Sequence, residues 1–182
     1  AGVFVFSYYM VRSLAVAKEA QKRAAAEEAF RESTEKYRLI FENAVEGIFQ
    51  STPEGRFISV NPAFAKMCGY DSPREMVDVI TDIGTQLYAD PADRDRYRMM
   101  IEKRGVAENY EVQYRRKDGR EIWVSLNTRG IRDEDGKSLY YEGTVEDITE
   151  RKIAEAMLLE EMEFNRTLLQ TSPAFFVAID PD

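Results

Sequence analysis

Residues 110–152 read YEVQYRRKDGREIWVSLNTRGIRDEDGKSLYYEGTVEDITERK. This stretch predicts three consecutive strands, because runs of alternating apolar and polar residues are separated by two typical turn sequences, KDG at 117–119 and DEDG at 133–136. The third strand, residues 140–145, leads without a linker into Asp147 and a charged helix that extends to about residue 170. The sequence therefore predicts a direct mechanical connection between a sheet and a helix.

The residues before this stretch complete an α+β pattern. Residues 47–51 and 56–60 are predicted to form a hairpin around a Pro-Glu-Gly turn. Short helices with explicit start signals follow the hairpin: NP at 61–62, SPRE at 72–75 and DPAD at 90–93. The prediction is a five-stranded antiparallel sheet with short helices on one face, flanked by long N- and C-terminal helices.

Both flanking helices are charged and carry only thin apolar seams. Residues 12–46 contain no Gly or Pro and are rich in Ala, Glu, Lys, Arg and Gln, which favour a helix. In the C-terminal helix, predicted over residues 146–170, one stripe recurs at four- and three-residue steps: Ile153, Met157, Glu160, Phe164 and Thr167. Such seams favour a partner helix in a dimeric coiled coil, and the alternative is a single solvated helix.

Composition excludes several classes of function. The chain has 182 residues and a formal net charge of −8, and it shows no basic patch for a phosphate backbone, so nucleic acid is not an expected partner. It contains no histidine, which removes His-ligated haem, a His phosphoacceptor and His-based catalysis. Its only cysteine, Cys68, excludes an internal disulfide. No nucleophile–base pair or Gly-rich phosphate loop is suggested, so we expect no catalysis and no metal site within this chain.

The first residues of the chain are apolar. Residues 1–11 read AGVFVFSYYMV, with Ser7 as the polar exception. They are too few to span a bilayer, which needs about 20 residues, but they fit the end of a membrane-spanning helix followed by basic residues. This interpretation places the protein on the cytoplasmic side of a membrane to which it is anchored. The alternative is a buried helix end or a cloning remnant.

Seven short fragments occur in a characteristic order: GIF at 47–49, NPAF at 61–64, GY at 69–70, DPADR at 90–94, RKDG at 116–119, WV at 123–124 and DITERK at 147–152. Together they resemble a PAS domain with its C-terminal PAC segment, over residues 35–151. The last fragment resembles the family's junction between the last strand and an output helix. The resemblance implies a sensory module that forms a homodimer through its flanking helices. It would relay a signal to a downstream effector in the same chain.

The resemblance also implies a parent protein. Most such modules occur in signalling proteins, and a membrane-bound sensor histidine kinase of a two-component system is the expected parent. The alternative is a ligand-free relay and dimerisation domain of a cyclic-di-GMP enzyme or a chemoreceptor. Sequence beyond residue 182 would decide between them, since a phosphoacceptor histidine or a GGDEF-like loop would be visible there.

A weak internal repeat extends the prediction. Residues 167–182 (TLLQTSPAFFVAIDPD) follow the apolar pattern and the turn of residues 39–54 (LIFENAVEGIFQSTPE) without a gap. We interpret the copy as the start of a second PAS-like domain at 171–182, and the alternative is chance similarity between two helix-to-strand junctions. The predicted order is the end of a membrane helix at 1–11, a helical linker at 12–34, the PAS/PAC domain at 35–151, an output helix at 152–170 and this second start.

The resemblance bears on cofactors as well. In the flavin-binding branch of the family the adduct-forming cysteine lies well after the Gly-Tyr pair, whereas Cys68 precedes Gly69 and Tyr70 here. Val124 and Val145 stand where that branch carries an amide side chain. Haem-binding relatives generally use a histidine, which this chain lacks. We therefore predict no cofactor, argue against a cysteinyl-flavin adduct and His-ligated haem, and leave room for an unidentified small ligand.

Two groups of residues are candidates for the site. A pocket between the sheet and the short helices would have a mostly apolar lining: Phe49, Phe57, Phe64, Met67, Leu87, Tyr114, Val124, Leu126, Tyr141 and Val145. The alternative is that these side chains simply fill a close-packed core. Thr128, Tyr110 and Tyr141 are the polar groups that would orient a ligand there.

The second group couples the sheet to the output helix, and it comprises Asp147, Ile148, Thr149 and Arg151. By the resemblance, Asp147 is expected to contact a basic residue near the sheet, either Arg151 or one of Arg129 and Arg132. The alternative is that Asp147 or Thr149 caps the helix by accepting hydrogen bonds from free backbone N–H groups. Both roles are compatible.

Overall fold

The structure, a computed structural model, describes the backbone of residues 2–171 and the side chains of residues 18–168. Helix α1 (Gly2–Asn43) lies in a compact unit of its own, residues 1–45. Its described side chains are mostly exposed, and it carries ion pairs such as those of Arg38 with Glu35 and Glu42. No helix in the described part of the chain combines the length and the apolar character needed to cross a bilayer.

The second unit, residues 46–182, holds the α+β domain. Its described elements follow one another in the predicted order: β1 (Gly47–Ser51), β2 (Phe57–Val60), α2 (Pro62–Met67), α3 (Pro73–Val79), α4 (Ile83–Gln86), α5 (Pro91–Arg104), β3 (Val106–Arg115), β4 (Glu121–Arg132), β5 (Ser138–Asp147) and α6 (Thr149–Thr171). The strands form one five-stranded sheet in the order β2-β1-β5-β4-β3, and all neighbouring strands are antiparallel. The predicted fold class is therefore confirmed.

The predicted helix starts are also confirmed. Asn61 accepts a hydrogen bond from the backbone N–H of Phe64, Ser72 accepts one from Glu75, and proline follows each cap. Asp90 caps α5 in the same way, and that helix ends at Gly105. These caps work because the first N–H groups of a helix have no partner within the helix.

Asn61 does more than cap its helix. Its buried side-chain oxygen also accepts a hydrogen bond from the N–H of Ile48 at 2.9 Å, and its amide nitrogen donates to the carbonyl of Glu46 at 2.9 Å. One side chain thus ties the start of β1 to the start of α2. A buried amide with its polar atoms paired in this way stabilises a single arrangement of the two elements.

The central strand β5 is packed tightly between β1 and β4. Gly143 lies opposite Phe49 on one side and opposite Thr128 on the other. A Cβ atom added to Gly143 would lie 2.2 Å from the carbonyl oxygen of Asn127. Only glycine fits at this point of the sheet, because the nearest atom belongs to the backbone of β4 and cannot move without moving the strand.

The core lies between one face of the sheet and helices α2–α5. As the alternation in β4 predicted, Ile122, Val124, Leu126 and Thr128 are all buried, but Ser125 on the other face of the strand is buried as well. The boundary of the last strand differs from the prediction. Helix α6 begins at Thr149 and not at residue 146, because Asp147 still pairs with Val124 in the ladder between β4 and β5.

Candidate functional site

The predicted pocket is almost filled by side chains. A cavity of about 10 Å³ remains between the sheet and the helices, which is room for about one water molecule. Its wall consists of Phe49, Ser51, Phe57, Phe64, Ile83, Arg94, Tyr97 and Tyr114. The three phenylalanine rings lie with their centroids 5.6, 5.9 and 6.3 Å apart, so the apolar side of the cavity is closely packed.

The predicted lining residues divide between this wall and the surrounding core. Phe49, Phe57, Phe64 and Tyr114 line the cavity. The others lie in the core around it: Leu87, Val124, Leu126, Tyr141 and Val145 are buried, and Met67 packs at the margin. Close packing of the interior explains why most of these side chains face neighbours and not a cavity.

The most unusual member of the wall is Arg94. Its residue surface is only 7% exposed, and its Nη2 atom has no hydrogen-bond partner among the described protein groups. Its guanidinium carbon lies 5.4 Å from the ring centroid of Tyr97 and 5.9 Å from that of Tyr88. Two cation–π contacts therefore hold a charge that is almost completely buried.

Two further orphaned polar atoms lie close to Arg94. The hydroxyl of Ser51 is fully buried on the same cavity wall and has no partner within the described chain. The hydroxyl of Tyr88 has no well-aligned hydrogen bond either, although Arg94 and Tyr114 lie close enough to influence its pKa, which burial raises. Buried polar atoms without partners are rare in proteins, so a group of them marks the surroundings of Arg94 as unusual.

Sequence reasoning missed Ser51, Ile83, Arg94 and Tyr97 as lining residues. A signal for three of them was present. Arg94 and Tyr97 are spaced with Ile101 by three and four residues and form the buried face of α5. Ser51 lies two residues after the buried Phe49 in β1, so the two side chains share the core face of the strand. Gly84 leaves space for the arginine stem, because a Cβ atom there would lie 3.3 Å from Cγ of Arg94.

The polar groups expected to orient a ligand have other partners. The hydroxyl of Tyr97 donates a hydrogen bond to Oγ1 of Thr128 at 2.7 Å, and both residues are buried. The hydroxyls of Tyr110 and Tyr141 reach the backbone carbonyl of Asp93 and the carboxylate of Glu102, each at 3.4 Å. None of the three predicted polar groups lines the cavity.

Cys68 is buried in the core, apart from the cavity wall. Burial raises the pKa of its thiol to about 12. At neutral pH the thiolate, which is the nucleophilic and metal-binding form, is therefore almost absent. The geometry fits a packing role for this cysteine.

The junction between the sheet and α6 is built from backbone groups of β4. The N–H of Ile148 donates to the carbonyl of Trp123 at 2.9 Å, and the N–H of Trp123 donates to Oγ1 of Thr149 at 3.0 Å. The side chain of Ile148 is buried. The first residues of the helix are thus joined to the neighbouring strand, and not only to the strand that precedes them.

Charged side chains add a second connection, on the sheet face opposite the core. Glu111 on β3 forms ion pairs with Arg151 at 2.8 Å and Lys152 at 2.5 Å, in the first turns of α6. Hydrogen bonds from Arg151 and then Lys152 lower the pKa of the Glu111 carboxyl below its usual value. The ammonium group of Lys152 also lies 5.5 Å from the ring centroid of Trp123.

Asp147 does not make the ion pair that was expected of it. Arg151 pairs with Glu111 and Glu155, and Arg129 pairs with Glu142. Arg132 donates to the backbone carbonyls of Ile101 and Glu102. Asp147 instead accepts a hydrogen bond from the N–H of Thr149 at 2.9 Å, which is the alternative capping role. The three basic residues therefore have other partners, which are carboxylates for Arg151 and Arg129 and backbone carbonyls for Arg132.

A comparison of the sequence with known protein families agrees with the fold described above. The profile of the PAS domain family matches residues 45–150. The chain belongs to the PAS domain family. The separate PAC segment stays a prediction. The second PAS start at residues 171–182 also stays a prediction, and residues 172–182 lie outside the described part of the chain.

Similar proteins include sensor kinases. Over 159 residues, 85% of this chain, the PAS protein is 28% identical to the C4-dicarboxylate transport sensor protein DctS of Rhodobacter capsulatus. It is 24% identical over 158 residues, 87% of the chain, to sporulation kinase C of Bacillus subtilis. The chain spans 24% of the first relative and 36% of the second.

A solved structure is similar as well. A sensory box histidine kinase/response regulator from Burkholderia thailandensis shares 26% sequence identity with the PAS chain, with a TM-score of 0.55. The similarity covers 73% of this chain and 99% of the solved one. This similarity agrees with the PAS fold of the sheet and its helices.

Proposed function

We propose that this PAS domain is a sensory and dimerisation module that relays a signal through its flanking helices to an effector in the same chain. The parent would be a membrane-bound sensor histidine kinase, with this module on the cytoplasmic side. The observation that carries the proposal is the doubly anchored junction, in which both β3 and β4 hold the start of α6. Movement of these strands is transmitted to the helix because neither anchor lies on a flexible linker.

The proposed partner of the flanking helices is a second copy of this chain. On α6 the side chains of Ile153, Met157 and Phe164 are exposed. They recur at intervals of four and seven residues, the spacing of a coiled-coil seam, and Glu160 occupies a polar position within it. An exposed stripe of this kind is stabilised when it packs against the same stripe of a parallel partner. On α1 the exposed Phe30 and Tyr37 repeat the seven-residue interval.

The oligomeric state tests the dimer. Substituting Met157→Glu introduces a charge into the proposed seam and is expected to shift the chain from dimer to monomer in sedimentation velocity. Met162→Glu is the matched control, because Met162 lies on the other side of α6 and is similarly exposed, 60% against 65% for Met157. A monomeric wild-type chain, or equal effects of the two substitutions, would contradict the proposed seam.

Helix insertions test the relay in the full-length protein. Four residues inserted between Glu161 and Met162 change the rotational phase of the helix, whereas seven residues preserve the heptad repeat. We expect autophosphorylation of the full-length protein to lose its normal regulation with the four-residue insertion and to keep it with the seven-residue insertion. Identical behaviour of both insertions would refute a rigid helical relay.

One observation favours a second candidate function. The cavity of about 10 Å³ is small for an ordinary metabolite. A domain whose core is almost full can act as a ligand-free relay and dimerisation module, in a cyclic-di-GMP enzyme or a chemoreceptor as well as in a kinase. Binding measurements on the cavity distinguish the two candidates, and the sequence of the effector identifies the parent.

A further inference from the structure

We propose that the cavity beside Arg94 binds a short carboxylate of one to three carbon atoms. The carboxylate group would contact the guanidinium of Arg94 and the hydroxyl of Ser51, and its carbon end would pack against Phe49, Phe57 and Phe64. The inference names the ligand class of the sensory module and rests on that proposed function for its signalling consequence. The binding itself is measured independently of signalling.

The first argument is the uncompensated charge of Arg94. An arginine side chain stays protonated in proteins, so burial cannot neutralise it. A buried charge is costly unless an opposite charge or a hydrogen-bond acceptor meets it. The rings of Tyr88 and Tyr97 offset part of this cost, but they leave Nη2 without an acceptor.

The nearest groups in the described part of the chain do not supply a charged acceptor. The hydroxyl of Tyr88 lies close enough to influence the pKa of Arg94, but it is neutral and makes no well-aligned hydrogen bond. The carboxylate of Asp82 caps α4, since it accepts hydrogen bonds from the N–H of Gly84 and the hydroxyl of Thr85, both at 2.9 Å. The pKa of Asp82 is lowered mainly by the hydrogen bond from Thr85 and only to a lesser degree by the charge of Arg94. Within the described part of the chain Arg94 has no ion-pair partner, so an external anion is the group that completes the site.

The second argument is the hydroxyl of Ser51, which also lacks a hydrogen-bond partner and lies on the same cavity wall as Arg94. The hydroxyl of Ser51 can donate a hydrogen bond to one carboxylate oxygen while Nη2 of Arg94 donates to the other. A water molecule would satisfy both hydrogen-bonding groups but would leave the charge unpaired. A carboxylate supplies the acceptors and the negative charge together.

The third argument concerns the shape of the site. Opposite the polar wall lie three phenylalanine rings, which suit a methyl or ethyl group and not a second charged end. The volume of about 10 Å³ holds about one water molecule, so a carboxylate enters only if the wall shifts outward, and the smallest acids require the smallest shift. Arg94 also lines an outer cleft of about 230 Å³ beside α4 and α5, so it is the residue that the cavity and this cleft share.

Thermal unfolding of the chain in sodium acetate tests the proposal. Acetate is titrated at constant ionic strength with sodium chloride as the balancing salt, and formate, propionate and butyrate are compared with it. Acetamide and propionamide are the uncharged controls. We expect a saturable rise of Tm by several degrees with the acids of one to three carbons, a smaller rise with butyrate and none with the amides.

Three variants assign the response to the cavity. Arg94→Met removes the charge and should weaken acetate binding by roughly 10- to 100-fold. Arg104→Met, an exposed arginine at the end of the same helix, is the matched control and should leave the response unchanged. Ser51→Asp places a carboxylate beside Arg94, so this variant should have a higher Tm than the wild type without acetate and should no longer respond to it.

Several results would overturn the proposal. One is the absence of any carboxylate-dependent Tm shift in the wild-type chain. Another is an equal shift with the amides, and a third is an unchanged response in Ser51→Asp. That variant keeps the test decisive should Arg94→Met fail to fold. A failure to bind carboxylates would not count against the proposed dimer or the proposed relay, because sedimentation and the helix insertions test those two separately.

Discussion

The junction between β4 and α6 allows a quantitative test through Thr149. Substituting Thr149→Val keeps the branched shape of the side chain but removes the oxygen that accepts the N–H of Trp123 at 3.0 Å. A hydrogen-bond donor left without a partner costs about 1–3 kcal/mol when it is buried. The Trp123 position is only partly buried, so we expect about 1–1.4 kcal/mol, which corresponds to a roughly 5- to 10-fold rise in local opening.

Amide hydrogen exchange followed by NMR measures this opening residue by residue. Protection of the Trp123 and Ile148 amides should fall by that factor, while amides in the ladder between β1 and β5 keep their protection. Thr34→Val on α1 is the matched control, because the hydroxyl of Thr34 donates within its own helix to the carbonyl of Phe30. Unchanged exchange at Trp123, or a loss of protection spread over the whole sheet, would refute a specific clamp at Thr149.

Three further predictions follow from contacts in the domain. Asn61→Ala removes a cap and two other hydrogen bonds and should lower the free energy of unfolding by about 2–4 kcal/mol in urea titrations, with an unchanged m-value. Gly143→Ala forces a Cβ atom against the carbonyl of Asn127 and should cost about 3 kcal/mol in the same assay; a neutral result would show that β4 and β5 separate easily. The pKa of Glu111 is lowered in the folded protein. Its ion pairs are therefore fully formed above the ordinary carboxyl pKa of about 4.3, and they are lost as the pH falls through the lower pKa of the folded state. Protection of the first turn of α6 should therefore drop at acidic pH in the wild type, whereas Glu111→Gln should lack this drop and show less protection at neutral pH.

Local sequence rules were sufficient for most of the fold. The caps at Asn61, Ser72 and Asp90 were predictable because they depend on neighbouring residues alone. The strands of the last hairpins were predictable because alternation and turn residues specify which face is buried. The start of α6 was predicted three residues too early, since Asp147 could not be seen to pair with Val124 across the sheet.

The site depended much more on tertiary contacts. The ion pair expected for Asp147 was wrong because Arg151 pairs with Glu111 on β3 and Arg129 pairs with Glu142 across the ladder between β4 and β5. The size of the cavity also escaped prediction, because it is the small difference between the volume of the core and that of the side chains that fill it.

The amino-acid sequence by itself therefore determined the α+β class, the order of the elements and the direct passage from the last strand to a charged helix. These features follow from periodicity and from caps, which are properties of short segments. Only the tertiary structure decided that Arg94 is buried beside Ser51 with no ion pair to any described side chain, and that Thr149 and Glu111 hold the start of helix α6. Charge compensation and anchoring of this kind depend on which distant residues share a surface, and no local pattern records that.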